Sequence, residues 1–280
     1  MDLVFALISD LHFGTDTCFE GKLRKLTSAA PRLTAAFVER MNEVVRPELV
    51  FNLGDDLEDE SREKDLARYG ECMAILSGCK ARLAHVAGNH DRIHLAEDDL
   101  LRMWRGTGAP PAERLYYSFD HGGVHFVVLA THETQNVSVR IDDDQLAWLE
   151  ADLRAAAHPA VVLMHHTASE QDLAGNRWFY RSPHLCKIVE RRRLRRILEA
   201  SGKVIAVFNG HLHWNHFDLC GGIPYVTVQS LVENLEEDAP GRPAAAHAVC
   251  RLSDKRLVVE IAGNDSARYQ IELERRGGDP

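Results

Sequence analysis

Five apolar runs in this chain each stop at a short polar motif. Residues 4–9 lead to Asp10-Leu11-His12, 49–53 to Gly54-Asp55-Asp56, and 82–87 to Gly88-Asn89-His90-Asp91. Residues 161–164 lead to His165-His166, and 204–209 to Gly210-His211-Leu212-His213. Runs of this length, bounded by glycine or polar turns, read as strands of a parallel sheet buried on both faces. In open α/β sheets ligands bind in the crevice outside the carboxyl ends of the strands, so residues far apart in sequence meet there. The chain is therefore expected to be α/β, with its strand-end carboxylates and imidazoles forming one site for two metals.

The connections fit that reading. Helical periodicity over 31–45 places Leu33, Phe37, Val38, Met41 and Val44 or Val45 on one side and makes the first β-α-β unit. Further helices are predicted over 63–76, 97–105 and 142–156, with a basic one over about 187–200. Strands 116–120 and 124–131 flank His121-Gly122-Gly123, a hairpin signal that adds antiparallel character. Strands at 214–219 and 223–229 join at Gly221-Gly222, and two short ones follow near 249 and 257–261. No repeat or linker divides the chain. A single domain over 1–280 is expected, with a core over about 4–230 and C-terminal strands over about 245–275.

Acidic residues outnumber basic ones by 42 to 33, a net charge of -9, which disfavours attraction to nucleic acid or anionic membrane. A pair of divalent cations would offset about four of those charges. The N-terminus has no basic n-region and its apolar run ends at Ser9, so no signal peptide is expected. No apolar stretch is long enough to span a membrane. The six cysteines are scattered without metal-type spacing and are expected to remain thiols, with the cytoplasm as the expected location.

Asp-x-His, Gly-Asp, Gly-Asn-His-Asp, a strand ending in His, and Gly-His-x-His, in this order over roughly residues 4–230, closely resemble the calcineurin-like metallophosphoesterase superfamily. The stretch Ser9-Asp10-Leu11-His12-Phe13-Gly14 looks most like the bacterial class III cyclic-nucleotide phosphodiesterase branch. The resemblance implies two packed mixed β-sheets flanked by helices, a four-layer α/β/β/α fold. It implies that Asp10, His12 and His213 bind one metal and Asn89, His165 and His211 the other, with Asp55 bridging. Such donors suit Mn, Fe, Zn or Co, whereas an imidazole-rich shell is poor for Mg or Ca. Alternation along an extended segment would point His211 and His213 the same way.

The same resemblance leaves His90 outside the ligand set, as the group that stabilises the transition state or protonates the leaving alkoxide. Water between the two cations would supply hydroxide in line with phosphorus. Asp91 is a catalytic candidate as the partner that orients His90, and a carboxylate after Asp55 is the alternative. Many relatives carry Asp or Asn three residues after the bridging Asp, where this chain has Glu58, so Glu58, Asp59 and Asp91 stay open as that partner. His165-His166-Thr167-Ala168 stands where relatives often have His-His-Pro-Pro. Counting from the strand selects His165 as ligand, with His166 as the fallback.

Plainer readings compete at other positions. His85, His121, His125, His132 and His184 are expected to be surface or hydrogen-bonded core residues. The arginine run 191–196 is expected to be a solvated helix face. Asn176-Arg177-Trp178-Phe179-Tyr180-Arg181 reads equally as a lid and as a packed loop. Arg92, His166, Trp178, Arg181 and Trp214 are the candidates for substrate contact. The expected function is hydrolysis of phosphate esters, as a phosphodiesterase on a small soluble substrate. A pyrophosphohydrolase of nucleotide-diphosphate conjugates, a phosphomonoesterase and a non-catalytic metal-binding scaffold are the alternatives. A homodimer is an expectation taken from relatives and from the strands after residue 240.

Overall fold

Each of the five apolar runs forms a strand, and each strand ends one to three positions before its polar motif. The structure, a computed structural model, describes residues 2–273. The first half contains β1 (Asp2–Ile8), the hairpin β2 (Thr17–Phe19) and β3 (Lys22–Lys25), α1 (Ala30–Arg40), β4 (Leu49–Asn52), α2 (Arg62–Leu76), β5 (Arg82–His85) and α3 (Glu97–Arg105). The hairpins β6 (Tyr117–His121) with β7 (Val124–Val128), and β8 (His132–Thr134) with β9 (Ser138–Arg140), lead to α4 (Asp143–Ala155) and β10 (Ala160–Leu163). Then come α5 (Arg191–Ser201), β11 (Val204–Asn209), β12 (His216–Cys220), β13 (Ile223–Thr227), β14 (His247–Ser253), β15 (Arg256–Ala262) and β16 (Ala267–Glu272).

The strands form two mixed six-stranded sheets, ordered β16-β15-β14-β1-β4-β5 and β12-β13-β11-β10-β7-β6. In the first, β1, β4 and β5 run parallel, and β14 turns antiparallel to β1. In the second, β7, β10, β11 and β13 run parallel, with β6 and β12 antiparallel at the edges. The two sheets pack face to face. Phe5 of β1 meets Phe51 of β4 and, across the gap, Phe126 of β7 and Phe208 of β11, all at ring separations of 5.7–5.9 Å and nearly edge to face. Period-two alternation divides β10 accordingly, with Val161 and Leu163 in this core and Ala160 and Val162 in a second one under α4 and α5. Helices α1 to α3 cover the other sheet, completing the α/β/β/α layers.

Several elements differ from expectation for identifiable reasons. Helix 31–45 is α-helical only to Arg40. Residues 41–45 widen into a π-turn closed by Arg46 in the left-handed region, which leaves Val44 exposed and Val45 against the core. The basic helix starts at Arg191 rather than near 187, because Ile188 and Val189 donate their N–H groups to Thr167 and Val139 instead. Among the described residues three strands, not two, follow residue 245. β16 is an edge strand with every second residue exposed, so it carries little apolar signal. Among the described residues no helix is long and apolar enough to cross a membrane, and the six cysteines are unpaired. In the arginine run, Arg191 and Arg195 reach Glu170 and Arg193 reaches Asp143.

His125, at the start of β7, donates from Nδ1 to Asp120 (2.6 Å) and from Nε2 to Asp152 (2.7 Å). Both partners are carboxylates, so both ring nitrogens carry protons. The Asp152 bond, with help from Asp120 and against partial burial, raises the imidazole above its ordinary value of 6.5. A group with a raised folded pKa contributes stability that is complete below 6.5 and is lost as pH rises through the folded value. Thermal unfolding at about pH 5.5 and about pH 9 should therefore show a larger gap between wild type and His125→Asn at the lower pH. A gap independent of pH would mean that the ring is not charged.

Candidate metal centre

The motifs sit in strained turns. Asp10, His12, Asp55, His211 and His213 all have positive φ, between 46° and 67°. Such conformations cost about 1–3 kcal/mol each in non-glycine residues and persist only where their surroundings hold them. The turn after β1 is bonded to the turn after β4: Asp10 N donates to Gly54 O (3.0 Å), His12 N to Asp55 O (2.9 Å) and Phe13 N to Asp56 O (2.9 Å). His211 N then donates to the Asp10 carboxylate, at 3.0 Å to Oδ2. Two motif glycines permit this closeness. A Cβ on Gly88 would lie 2.1 Å from Asp55 Oδ1, and one on Gly210 would lie 1.9 Å from Ser9 Oγ.

The donor atoms fall into two groups that share Asp55. In one, His12 Nε2 lies 3.1 Å from His213 Nε2, His213 Nε2 lies 3.4 Å from Asp10 Oδ1, and His12 Nε2 lies 3.9 Å from Asp55 Oδ2. In the other, His165 Nε2 lies 3.1 Å from Asp55 Oδ2, 3.1 Å from Asn89 Oδ1 and 3.2 Å from His211 Nδ1. The structure thus brings Asp10, His12, Asp55, Asn89, His165, His211 and His213 into one cluster. His211 and His213 do reach the same site, but through two left-handed residues and not through strand alternation.

Positive charge is what this cluster requires. The outward nitrogens are committed: His165 Nδ1 donates to Leu53 O (2.8 Å), His211 Nε2 to Leu185 O (3.0 Å) and His213 Nδ1 to Glu233 (2.9 Å). A neutral ring so bonded turns a lone pair inward, and lone pairs about 3 Å apart repel unless a proton or cation lies between them. Burial opposes charge on His165, yet Asp55, Asp10 and the Leu53 carbonyl lift it to about 10. Burial likewise opposes charge on His213, which Asp10 and Glu233 lift to about 9. Against burial, His213 and His165 hold Asp10 below its usual range, and His165 and His90 hold Asp55 well below it. Imidazole nitrogens with two carboxylates and an amide oxygen fit transition-metal ions, so the donor chemistry suits two such cations.

His90 stands at the edge of the cluster, close to His12 and Glu58. Its ring is 4.9 Å from that of His12, its backbone N–H donates to Asp55 Oδ1 (2.9 Å), and its Nδ1 is 2.5 Å from Asp59 Oδ1. Of the three acids left open, Asp59 is therefore the one on the His90 ring. Burial disfavours the charged ring, but Asp55 and Asp59 together raise it. Glu58 instead faces the other imidazole, with Oε2 3.0 Å from His12 Nδ1. Asp91, expected as a catalytic partner, touches no ring nitrogen of His90. Its carboxylate accepts the N–H groups of Asp55, Asp56 and Gly88, pinning the two glycine turns together. Burial and the neighbouring Asp55 charge push it up to about 6.

The substrate candidates separate. Trp178 lies at the site, edge-on to His213 at 5.3 Å and stacked on the half-buried Phe19 at 4.9 Å. His166 is fully buried against His165 and His211, bonded through Nδ1 to Thr131, and Arg92 donates to the Thr131 carbonyl. Trp214 packs in a small cluster with Leu173, Cys186 and Leu212, its N–H on Gln171, and so belongs to the loop's own core. Arg181 is exposed and joins none of these contacts. Sequence reasoning missed Glu233 and the buried Lys25, whose ammonium binds Glu58. The one signal for the Lys25 hairpin was Glu20-Gly21 between two short alternating stretches.

The geometry agrees with comparison to known proteins. The family model described as "Calcineurin-like phosphoesterase" matches residues 3–215. The chain belongs to this family. Purple acid phosphatase 23 of Arabidopsis thaliana is 29% identical over 185 residues, which cover 58% of this chain and 37% of the relative. A Synechococcus protein named "Probable cyclic nucleotide phosphodiesterase" is 28% identical over 167 residues, 59% of this chain and 58% of the relative. The alignments thus span less than two thirds of either relative's length. A dimetal phosphatase from Danio rerio superposes with a TM-score of 0.78 over 97% of this chain and 99% of its own, at 18% identity, which shows the shared calcineurin-like fold.

Asp55 Oδ2 lies 3.9 Å from His12 Nε2 in one donor group and 3.1 Å from His165 Nε2 in the other. Asp55→Ala should therefore lose both ions together, read by elemental analysis after dialysis against excess Mn. Two ions retained in that variant would remove Asp55 from the bridging position.

Proposed function

We propose that this protein is a metal-dependent phosphoric ester hydrolase acting as a phosphodiesterase on a small soluble substrate, with Mn, Fe or Zn as its ions. The observation that carries this reading is the pair of donor groups joined by Asp55, with an acid-backed imidazole, His90, held beside them outside the ligand set. Asp10, His12 and His213 would hold one ion and Asn89, His165 and His211 the other. Two cations so held supply Lewis-acid polarisation of a phosphoryl oxygen and activation of water near neutral pH.

The chain's own residues do the rest. Asp59 accepts from His90 Nδ1 and fixes the ring's tautomer, so Nε2 is the atom that donates to the departing alkoxide or to a phosphoryl oxygen. Asp91 holds the turns that carry Asp55 and His90 at their mutual distance. Phe19 and Trp178 wall one side of the Asp10 group and suit a substrate bearing a planar group. The family relationship supports phosphate-ester hydrolysis, and the name of the Synechococcus relative supports the diester reading.

His90→Ala should keep both metals yet lower kcat by about 10²-fold or more, as loss of a general acid requires. Unchanged turnover would remove His90 from the chemistry. Asp59→Asn removes one of the charges that, with Asp55, raise His90, so the alkaline limb of the pH–rate profile should move to lower pH. An unmoved limb would mean that this limb is not His90. Initial rates on bis(4-nitrophenyl) phosphate, 4-nitrophenyl phosphate, cyclic nucleotides and ADP-ribose, after chelation and single re-addition of Mn, Fe or Zn, test the substrate class. Hydrolysis confined to the diphosphate would replace the diesterase reading with a pyrophosphohydrolase one.

A further inference from the structure

The two donor groups differ in what stands behind their histidines. In the Asn89–His165–His211 group, both outward nitrogens meet neutral backbone carbonyls, those of Leu53 and Leu185. In the Asp10–His12–His213 group, both outward nitrogens face carboxylates. Glu58 Oε2 is 3.0 Å from His12 Nδ1, a charge contact without hydrogen-bond geometry, and Glu233 Oε2 accepts from His213 Nδ1 at 2.9 Å. Glu233 is 2% exposed and also accepts from Trp178 Nε1 (3.0 Å).

One lysine ties the two glutamates together. Lys25, 3% exposed, pairs through its backbone with Glu233 in an antiparallel bridge, flanked by Leu26 N to Val232 O (2.9 Å) and Asn234 N to Arg24 O (2.7 Å). Its side chain crosses to Glu58 and passes 5.4 Å from the Trp178 ring centroid. Thr17, on the same hairpin, donates to Glu58 Oε1 at 3.2 Å. Arg177 Nη1 lies 3.9 Å from Glu233 Oε1, so a cation attends each glutamate.

We propose that Glu58 and Glu233, joined through Lys25, are positioning residues for His12 and His213 and set the cation affinity of the Asp10–His12–His213 half-site alone. This rests on the metal-binding reading above. A carboxylate behind an imidazole fixes its tautomer and orientation and strengthens the facing nitrogen as a donor, and loss of such a partner costs about 10- to 100-fold in metal affinity. A carbonyl orients the ring as well but adds no negative charge. Glu→Gln keeps an acceptor oxygen and the side-chain shape while removing that charge.

The test uses the full chain, stripped by chelator and titrated with Mn²⁺ alone by calorimetry, with dialysis and elemental analysis for stoichiometry. His165→Ala isolates the Glu-backed half-site, and His213→Ala isolates the other. Glu233→Gln and Glu58→Gln should each weaken Mn²⁺ binding by about 10- to 100-fold in the His165→Ala background and leave it within about twofold in the His213→Ala background. Equal weakening in both backgrounds, or none in either, overturns the proposal. Should Glu233→Gln fail to fold by circular dichroism, Glu58→Gln at its less buried position decides alone. Wild type binding no Mn²⁺ would remove the metal reading itself, whereas two ions bound with unchanged affinity in the glutamine variants would remove only this inference.

Discussion

The backbone bonds between the turn after β1 and the turn after β4 are what the rest of the site depends on. They run from Asp10, His12 and Phe13 to Gly54, Asp55 and Asp56, and Glu58 N returns the connection to Phe13 O. They hold two acidic turns side by side although Asp10 and Asp55 repel and both adopt left-handed backbone. The sheets beneath make the bonds possible. β1 and β4 are parallel neighbours in register, so their carboxyl ends stop at the same height.

Charge is arranged in layers around that junction. Inside lie carboxylates and imidazole lone pairs that need a proton or cation between them. Behind them sit carbonyls bonded to His165 and His211, Glu233 bonded to His213, Asp59 bonded to His90, and the Glu58 carboxylate facing His12. Farther out, Lys25 and Arg177 attend the glutamates. Asp56 and Asp91 form a separate buried acidic pair under the turns. Burial and mutual repulsion raise Asp56 well above its usual range, while Asn52 donates two bonds to it. Neutral acid there suits a structural role, since an ionised pair so deep would destabilise the turn it supports.

Much of this was legible before any coordinates. The five strands and their motifs announce themselves because both faces of each strand are buried, so the apolar run is continuous and its end is sharp. Helices with one apolar face were equally clear at α2, α3 and α4. Legibility failed where burial is partial. The hairpins β2–β3 and β8–β9 are three or four residues long and mostly only partly buried, and the six-residue edge strand β16 exposes every second residue. The lid question over 176–181 resolved in parts for the same reason: Trp178 is drawn to the site by Glu233, while Arg181 has no partner there to draw it in.

What the amino-acid order determined by itself was local: which residues end each strand, which glycines let turns touch, and that imidazoles and carboxylates gather in the pattern of one family. Motif spacing carries this because strand, turn and ligand are covalently continuous. Tertiary structure alone decided the partners across the chain. Asp59, not Asp91, meets His90; Glu58 meets His12; and Glu233 meets His213 while pairing with Lys25 from the opposite end of the sequence. No local rule predicts these contacts, because each depends on how two separately folded turns are packed. A side chain one position along a turn points to a different neighbour, and only the packed sheets fix which one.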